Sequence, residues 1–344
     1  ILDPDPEAPC KHLASSFTNG SITDYDSVVE FGKMYDYLTI EIENVNTDAL
    51  SHLSDQGKNV FPQPHIIKLI KDKGLQKQFY KDHHFPTSPF ILTENKQDVI
   101  NAGKKSVVHK LRREGYDGRG VQIIRNEEDY ALAFDKPGVL EDLIDIKKEI
   151  SVIVARNQKG ETVTFPPVAL EYHPTQNLVE FLFSPAEIEE KLDVEAREMA
   201  KDLINSLQMT GILAVEMFID QHSQLMINEI APRPHNSGHQ TIEANVTSQY
   251  EQHLRAILDW PLGNTDMIMP SVMVNLLGEE GFEGKAKYRG LDEILKMNGV
   301  HMHLYGKKYT RPFRKMGHVT LVGDNLDELK INARKIKSIL KVEA

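Results

Sequence analysis

Two acidic residues set inside apolar strands constrain this chain more than any other feature. The stretch from Ile212 to Gln240 reads ILAVEMFIDQHSQLMINEIAPRPHNSGHQ. Residues 213–219 and 225–230 are rich in β-branched and large apolar side chains, and 220–224 between them carries the polar pattern of a hairpin turn. With His222 and Ser223 at the tip, paired residues have numbers summing to 445, so Glu216 lies directly opposite Glu229. Side chains opposed in this way have Cβ atoms about 5 Å apart. Two carboxylates there repel by about 3 kcal/mol at an effective dielectric of about 20. Such a pair requires a shared proton or a cation. Magnesium fits, because it takes one or two carboxylates and completes its shell with water and phosphate oxygens; manganese is the alternative ion.

The residues that follow strengthen this reading. Asn228 precedes Glu229, and the strand runs into Pro232, Arg233, Pro234, His235, Asn236, Ser237, Gly238 and His239. Two prolines fix an irregular backbone, and a cation, an imidazole and an amide are presented within four residues. Upstream, residues 112–120 (RREGYDGRG) place Gly115, Gly118 and Gly120 between two expected strands. Glycines so spaced let backbone amides turn toward an anion, while the arginines supply charge. Lys110, ending the preceding strand, is a candidate phosphate partner. Residues 139–144, followed by Lys148 and Glu149, read as strand, bend and strand; the bend offers backbone to a purine edge, and Glu149 offers a carboxylate to ribose hydroxyls. Residues 307–315 hold five cations in nine positions of an acidic chain, which reads either as a solvated loop or as a site for a substrate phosphate. His301 and His303 share one face of a strand, but with no third ligand nearby zinc is disfavoured. Neither common nucleotide motif is present: GEEGFEGKA at 278–286 has the wrong spacing and ends in Ala286, where a P-loop needs a hydroxyl.

The net charge of −11, from 40 Lys+Arg against 51 Asp+Glu, argues against nucleic acid as a partner. No apolar run approaches the roughly 18 residues of a membrane span. A single cysteine, Cys10, fits a reducing cytoplasm. The opening ILDPDPEAPC reads as the end of a strand that begins upstream of Ile1. Strands alternating with helical stretches over 1–72 predict a parallel α/β unit. A small α+β unit follows, with helices over 97–104 and 127–134 and strands over 106–111, 121–124 and 139–142. A long amphipathic helix is expected over 187–207, and a helix with at most one break over 237–258.

Taken together, GYDGRG at 115–120, INEIAPRPHNSGH at 227–239 and RKMGH at 314–318 resemble the 5-(carboxyamino)imidazole ribonucleotide synthase family of ATP-grasp enzymes in purine biosynthesis. The resemblance implies an α/β (α+β in parts) ATP-grasp architecture. Its parts would be an N-terminal α/β domain over 1–72, an ATP-grasp domain over 73–263 with a small lid lobe at about 95–142, and a C-terminal domain over 264–344. Glu216 and Glu229 then resemble magnesium ligands, with Asn236 beside the metal–phosphate cluster. Lys73 and Lys110 resemble residues on ATP phosphates, Glu141 and Asp142 with the backbone after them an adenine hinge, and Glu149 a ribose ligand. Tyr116, Asp117 and Arg119 resemble a closing loop, and Arg233 and His235 stand where bicarbonate and the imidazole nucleotide meet. Lys307 and Arg314 match a ribotide-phosphate clamp. The family's glycine-rich loop, of the GGGQLG type, would precede Ile1, and Glu114 stands where many members have glycine. The implied substrates are ATP, bicarbonate and 5-aminoimidazole ribonucleotide, the implied cofactor is magnesium, and the implied assembly is a cytoplasmic homodimer. Another ATP-grasp ligase, such as a formate-dependent glycinamide ribotide formyltransferase, and a non-catalytic ATP-binding regulator are the competing readings.

Overall fold

The computed structural model describes all residues except 114, 116–119 and 177. Its N-terminal part alternates α1 (Tyr25–Gly32), β1 (Tyr37–Leu38), α2 (Thr47–Asp55), β2 (Asn59–Val60) and α3 (Pro64–Ile70). Asp24 and Asn46 cap α1 and α2 by accepting from the amides of Ser27 and Ala49. β1 and β2 pair in parallel, as strands joined through a helix do. β1 is only two residues long. Beyond Leu38 the chain leaves its neighbour, and Glu43 is drawn to Arg233, whose Nε donates to Glu43 Oε1 at 2.8 Å.

α4 (Lys73–Asp82) leads into a four-stranded antiparallel sheet covered by α5 (Lys96–Ala102). Its strands are β3 (Phe90–Thr93), β4 (Val107–Leu111), β5 (Val121–Ile124) and β6 (Gly138–Asp142), in the order β3-β6-β4-β5. Val99 of α5 packs on Val107, Ile124 and Leu140, giving this lobe its own small core. The helix expected over 127–134 is a 3-10 turn, Glu128–Leu132. Asn126 and Asp129 side chains take the amides of residues 125, 126, 128 and 129, and this local bonding competes with the α-helix.

The central sheet has nine strands. It is built from β7 (Ile146–Arg156), β8 (Val168–Tyr172), β9 (Val179–Ser184), β10 (Gly211–Asp220), β11 (Leu225–Ala231), β12 (Ser271–Leu277), β13 (Val300–Leu304) and β14 (Lys315–Val322). They run antiparallel in the order β11-β10-β7-β8-β9-β12-β14-β13, with Thr162–Thr164 paired to the side of β7. α6 (Glu190–Ser206) lays Leu192, Ala196 and Leu203 over Val152, Leu213 and Val215. α9 (Leu326–Ile339) does the same for the C-terminal strands, burying Leu329 and Ile336 against Val272 and Val319. The C-terminal strands therefore extend the sheet that carries the acidic hairpin. The helix expected over 237–258 is three pieces: a 3-10 turn at Asn236–Gly238, α7 (Thr241–Ala244) and α8 (Gln249–Ile257). Asn245 breaks it by bonding Thr265 O, and Thr241 Oγ1 accepts from Gln249 N. Among the described residues no helix is long and apolar enough to cross a membrane.

Candidate active site

Glu216 of β10 lies directly opposite Glu229 of β11, the pairing expected from the sequence. The route to it differs. At the tip Asp220 N donates to Gln224 O at 3.1 Å and Ser223 turns the chain with φ of +60°, so the loop has three residues. Ile219 pairs with Leu225, and Met217 with Ile227, one step short of the expected register. Asn228 is then an extra residue, a bulge that restores the register before the acids. Its Oδ1 accepts from Lys110 Nζ at 3.0 Å, so the bulge turns Asn228 and Glu229 to the same cavity.

The two acids differ in environment. The Glu216 side chain is 13% exposed and that of Glu229 45%. Lys73, at the start of α4, pairs with Glu229 and holds its carboxyl well below the usual range. Burial, reinforced by the charge of Glu229, pushes Glu216 up. Tyr172 donates to Glu216 Oε2 at 3.5 Å, and His235 Nε2 lies 3.7 Å from Oε1. A pair so placed keeps a proton on its buried member or exchanges it for a cation. Its hard oxygen donors suit magnesium. Among the described residues no three acidic or imidazole groups converge as a metal cage, so an ion held here would need further ligands such as water or phosphate.

Two lysines hold one buried carboxylate beside the acids. Glu141 of β6 has Lys77 Nζ at 2.9 Å from Oε2 and Lys110 Nζ at 3.1 Å from Oε1. With Lys73, Gln76, Asn228 and Glu229 they line a small enclosed cavity. Asp142 points its side chain away to Lys104 Nζ at 2.7 Å. The amides of Asp142 and Leu143 bond Pro89 O and Ser106 O, which fixes the path of the bend. Burial pushes Glu149 of β7 up to about 7, although Tyr172 hydrogen-bonds to it. Gly120, at φ of +76°, passes so close to Gly115 that a Cβ would lie 3.1 Å from its Cα. Tyr116, Asp117, Gly118 and Arg119 lie outside the described residues.

On the other side of Glu216 the proline loop is latched. His235 N donates to Gln249 Oε1, and Gln249 Nε2 returns a bond to His235 O, both at 2.8 Å. His235 Nδ1 meets Ser237 Oγ at 2.9 Å. Burial, with Arg233 and Lys315 nearby, lowers His235 to about 3, so the ring is neutral. Arg233 faces this site from its ion pair with Glu43. Asn236 Oδ1 is buried without a hydrogen-bond partner among the described residues. Lys307 Nζ donates to Lys315 O at 2.7 Å, and Arg314 Nη1 to Tyr309 O at 2.7 Å, so both cations lie on the loop between β13 and β14. His301 is exposed. His303 bonds Glu243 at 2.7 Å and stacks on His318, which stacks on His239.

Sequence reasoning missed Lys77 and Glu43 as neighbours of this site. Lys77 lies one helical turn beyond Lys73, a spacing that places both on one face of α4. Glu43 is brought in only by tertiary structure.

Three family models match the chain in succession. They are the ribonucleotide synthetase preATP-grasp domain over 1–71, the ATP-grasp domain over 78–250, and the phosphoribosylaminoimidazole carboxylase C-terminal domain over 271–332. The N5-carboxyaminoimidazole ribonucleotide synthase of Bacillus subtilis is 35% identical, over 95% of this chain and 86% of that protein. The chloroplastic phosphoribosylaminoimidazole carboxylase of Vigna aconitifolia is 36% identical, and the chain spans 61% of its length. The crystal structure of N5-carboxyaminoimidazole ribonucleotide synthetase from Thermotoga maritima superposes with a TM-score of 0.93 at 40% identity, covering 100% of this chain and 92% of that one. The Aspergillus clavatus synthase in complex with ADP and 5-aminoimidazole ribonucleotide gives 0.89 at 26% identity, covering 98% and 90%. The chain belongs to the N5-carboxyaminoimidazole ribonucleotide synthase family of ATP-grasp ligases.

Proposed function

We propose that this chain carboxylates the exocyclic amine of 5-aminoimidazole ribonucleotide, using ATP and bicarbonate and releasing ADP and phosphate. The observation that carries the reading is the opposed pair Glu216 and Glu229, with Lys73 and Lys110 on one side and a neutral His235 on the other. Lys73 and Lys110 hold the phosphates, and the bend after Glu141, with Glu149, takes adenosine. Glu216 and Glu229 would hold magnesium, which would supply neutralisation of the phosphate charge. A bicarbonate oxygen attacks the γ-phosphorus as its bond to ADP breaks, giving carboxyphosphate. Arg233 orients the bicarbonate, and Asn236 supports the phosphate cluster. The amine nitrogen then bonds to the carboxyl carbon, phosphate leaves, and His235 accepts the amine proton. Asp117 is the other candidate for that proton. Carboxyphosphate is labile in water, which is the physical reason for a lid formed by residues 95–142 with Tyr116 and Arg119 on its loop. Lys307 and Arg314 grip the ribotide phosphate.

The ADP and ribotide carried by the Aspergillus protein support this substrate set. Domain limits of 1–72, 73–263 and 264–344 belong to the same proposal. So does a homodimer, supported by the exposed apolar side chains of Val246, Leu254 and Trp260 beside and along α8. A cytoplasmic location is supported by the lone, exposed Cys10. The test is ADP release with each substrate left out in turn: release should need both bicarbonate and the ribotide. Release sustained by formate in place of bicarbonate would refute the carboxylation.

A further inference from the structure

We propose that Lys77 is a positioning residue of the nucleotide site, holding Glu141 so that Glu141 in turn aims Lys110, and tying both to the bulge that carries Asn228 and Glu229. The inference rests on the reading of this cavity as the ATP phosphate site. Lys77 projects from α4 with its side chain only 3% exposed, as is that of Glu141. Its ammonium has two partners on different elements. One is Glu141 Oε2 at 2.9 Å; the other is Thr87 Oγ1 at 2.6 Å. Thr87 donates onward to Ile227 O at 2.8 Å, and Ile227 N donates to Pro86 O at 2.8 Å. Ile227 immediately precedes the extra residue of the bulge. One buried cation thus joins the small lobe, α4 and the strand that presents Glu229.

A buried ion pair is a poor device for stability alone, because desolvation offsets most of its attraction and an apolar pair of similar volume serves as well. Position is the better account. Glu141 sits between two lysines, one on each oxygen, and Lys110 sits between Glu141 and Asn228. Without Lys77 the buried carboxylate has Lys110 as its remaining cationic partner. No longer held at Oε2, it ceases to aim Lys110 at Asn228 and at any phosphate there. Burial pushes Lys77 down to about 8, against the opposing pull of Glu141, so its charge depends on that carboxylate.

The experiment compares the unsubstituted full chain, Lys77→Met and the charge-balanced Lys77→Met/Glu141→Gln by calorimetric binding of ATP with magnesium, calorimetric binding of the ribotide, and thermal melting. Lys77→Met should weaken ATP binding about tenfold while ribotide binding stays within about twofold. The double variant should melt near the unsubstituted chain, since the fully buried Lys77–Glu141 pair is removed as a whole and Lys110 keeps the Asn228 amide oxygen as a partner, with ATP binding still weakened at least about fivefold. A change below about twofold in ATP binding by Lys77→Met overturns the proposal. So does equal weakening of both ligands, recovery of ATP affinity in the double variant, or failure of the double variant to fold. ATP binding is read without turnover, so an error in the assigned carboxylation shows in the ADP-release assay and leaves this comparison intact.

Discussion

Glu229 and Glu216 share one strand pair yet do different work. Glu229, half-exposed and paired with Lys73, is the permanent anion; Glu216, buried beside it, is the acid whose charge has to be matched by a proton or a metal. Glu229→Gln removes the anion and keeps the shape. ADP release should fall by about 100-fold or more, with the melting temperature little changed. Turnover within a few-fold of the unsubstituted chain would refute the proposed role of Glu229 in holding a metal. These two residues were legible because carboxylates in apolar strands have few explanations. Lys77 was not, because a lysine on an amphipathic helix has the same local pattern whether it faces solvent or a buried glutamate. Only the fold, by bringing β6 against α4, distinguishes the two.

At the level of elements, the piece most exposed to a small change is the loop between β11 and α7. A Cβ on Gly238 would lie 2.2 Å from Ile153 Cδ1 and 2.5 Å from Gln249 Oε1. Gln249 is the residue that latches His235 from both sides. Gly238→Ala should therefore cost about 1–3 kcal/mol of stability by overpacking. It should also lower kcat well beyond that loss by releasing the imidazole. Denaturant titration and steady-state kinetics on the same preparation separate the two; a stability loss with unchanged kcat would mean that the latch does not set the position of His235. The strands and most helices of the chain were readable from their periodicity. The break at Asn245 was not, because its cause is a bond to Thr265, a residue twenty positions away. The bulge at Asn228 escaped for a similar reason: nothing in MINEIA marks which residue is the surplus one until the three-residue turn fixes the count.

For the molecule as a whole, buried imidazoles set the response to acid. His253 bonds Thr39 through Nε2 at 2.8 Å, joining α8 to the N-terminal part, and burial lowers it to about 4. Burial likewise holds His239 at about 3 and His318 at about 2. Folded pKa values below the unfolded value near 6.5 mean that the unfolded chain binds more protons between about pH 4 and 6.5. Stability therefore rises with pH through that window and is lost as pH falls below 6.5, with His253 alone contributing on the order of 3 kcal/mol. The melting temperature should drop clearly between pH 7.5 and pH 5, and His253→Gln should flatten that slope. A melting temperature that does not change over the same interval would contradict it. The sequence carried the three-part order of the chain but not the continuity of the sheet, since nothing local says that β12 will pair with β9. One consequence of the surplus residue reaches beyond the site. Because Asn228 absorbs the odd step, the tip at 221–223 is geared separately from the acids, like a loose end beyond a knot. A short peptide or dye grafted between His222 and Ser223 would leave both carboxylates in register, giving a reporter on the strand that carries Glu229.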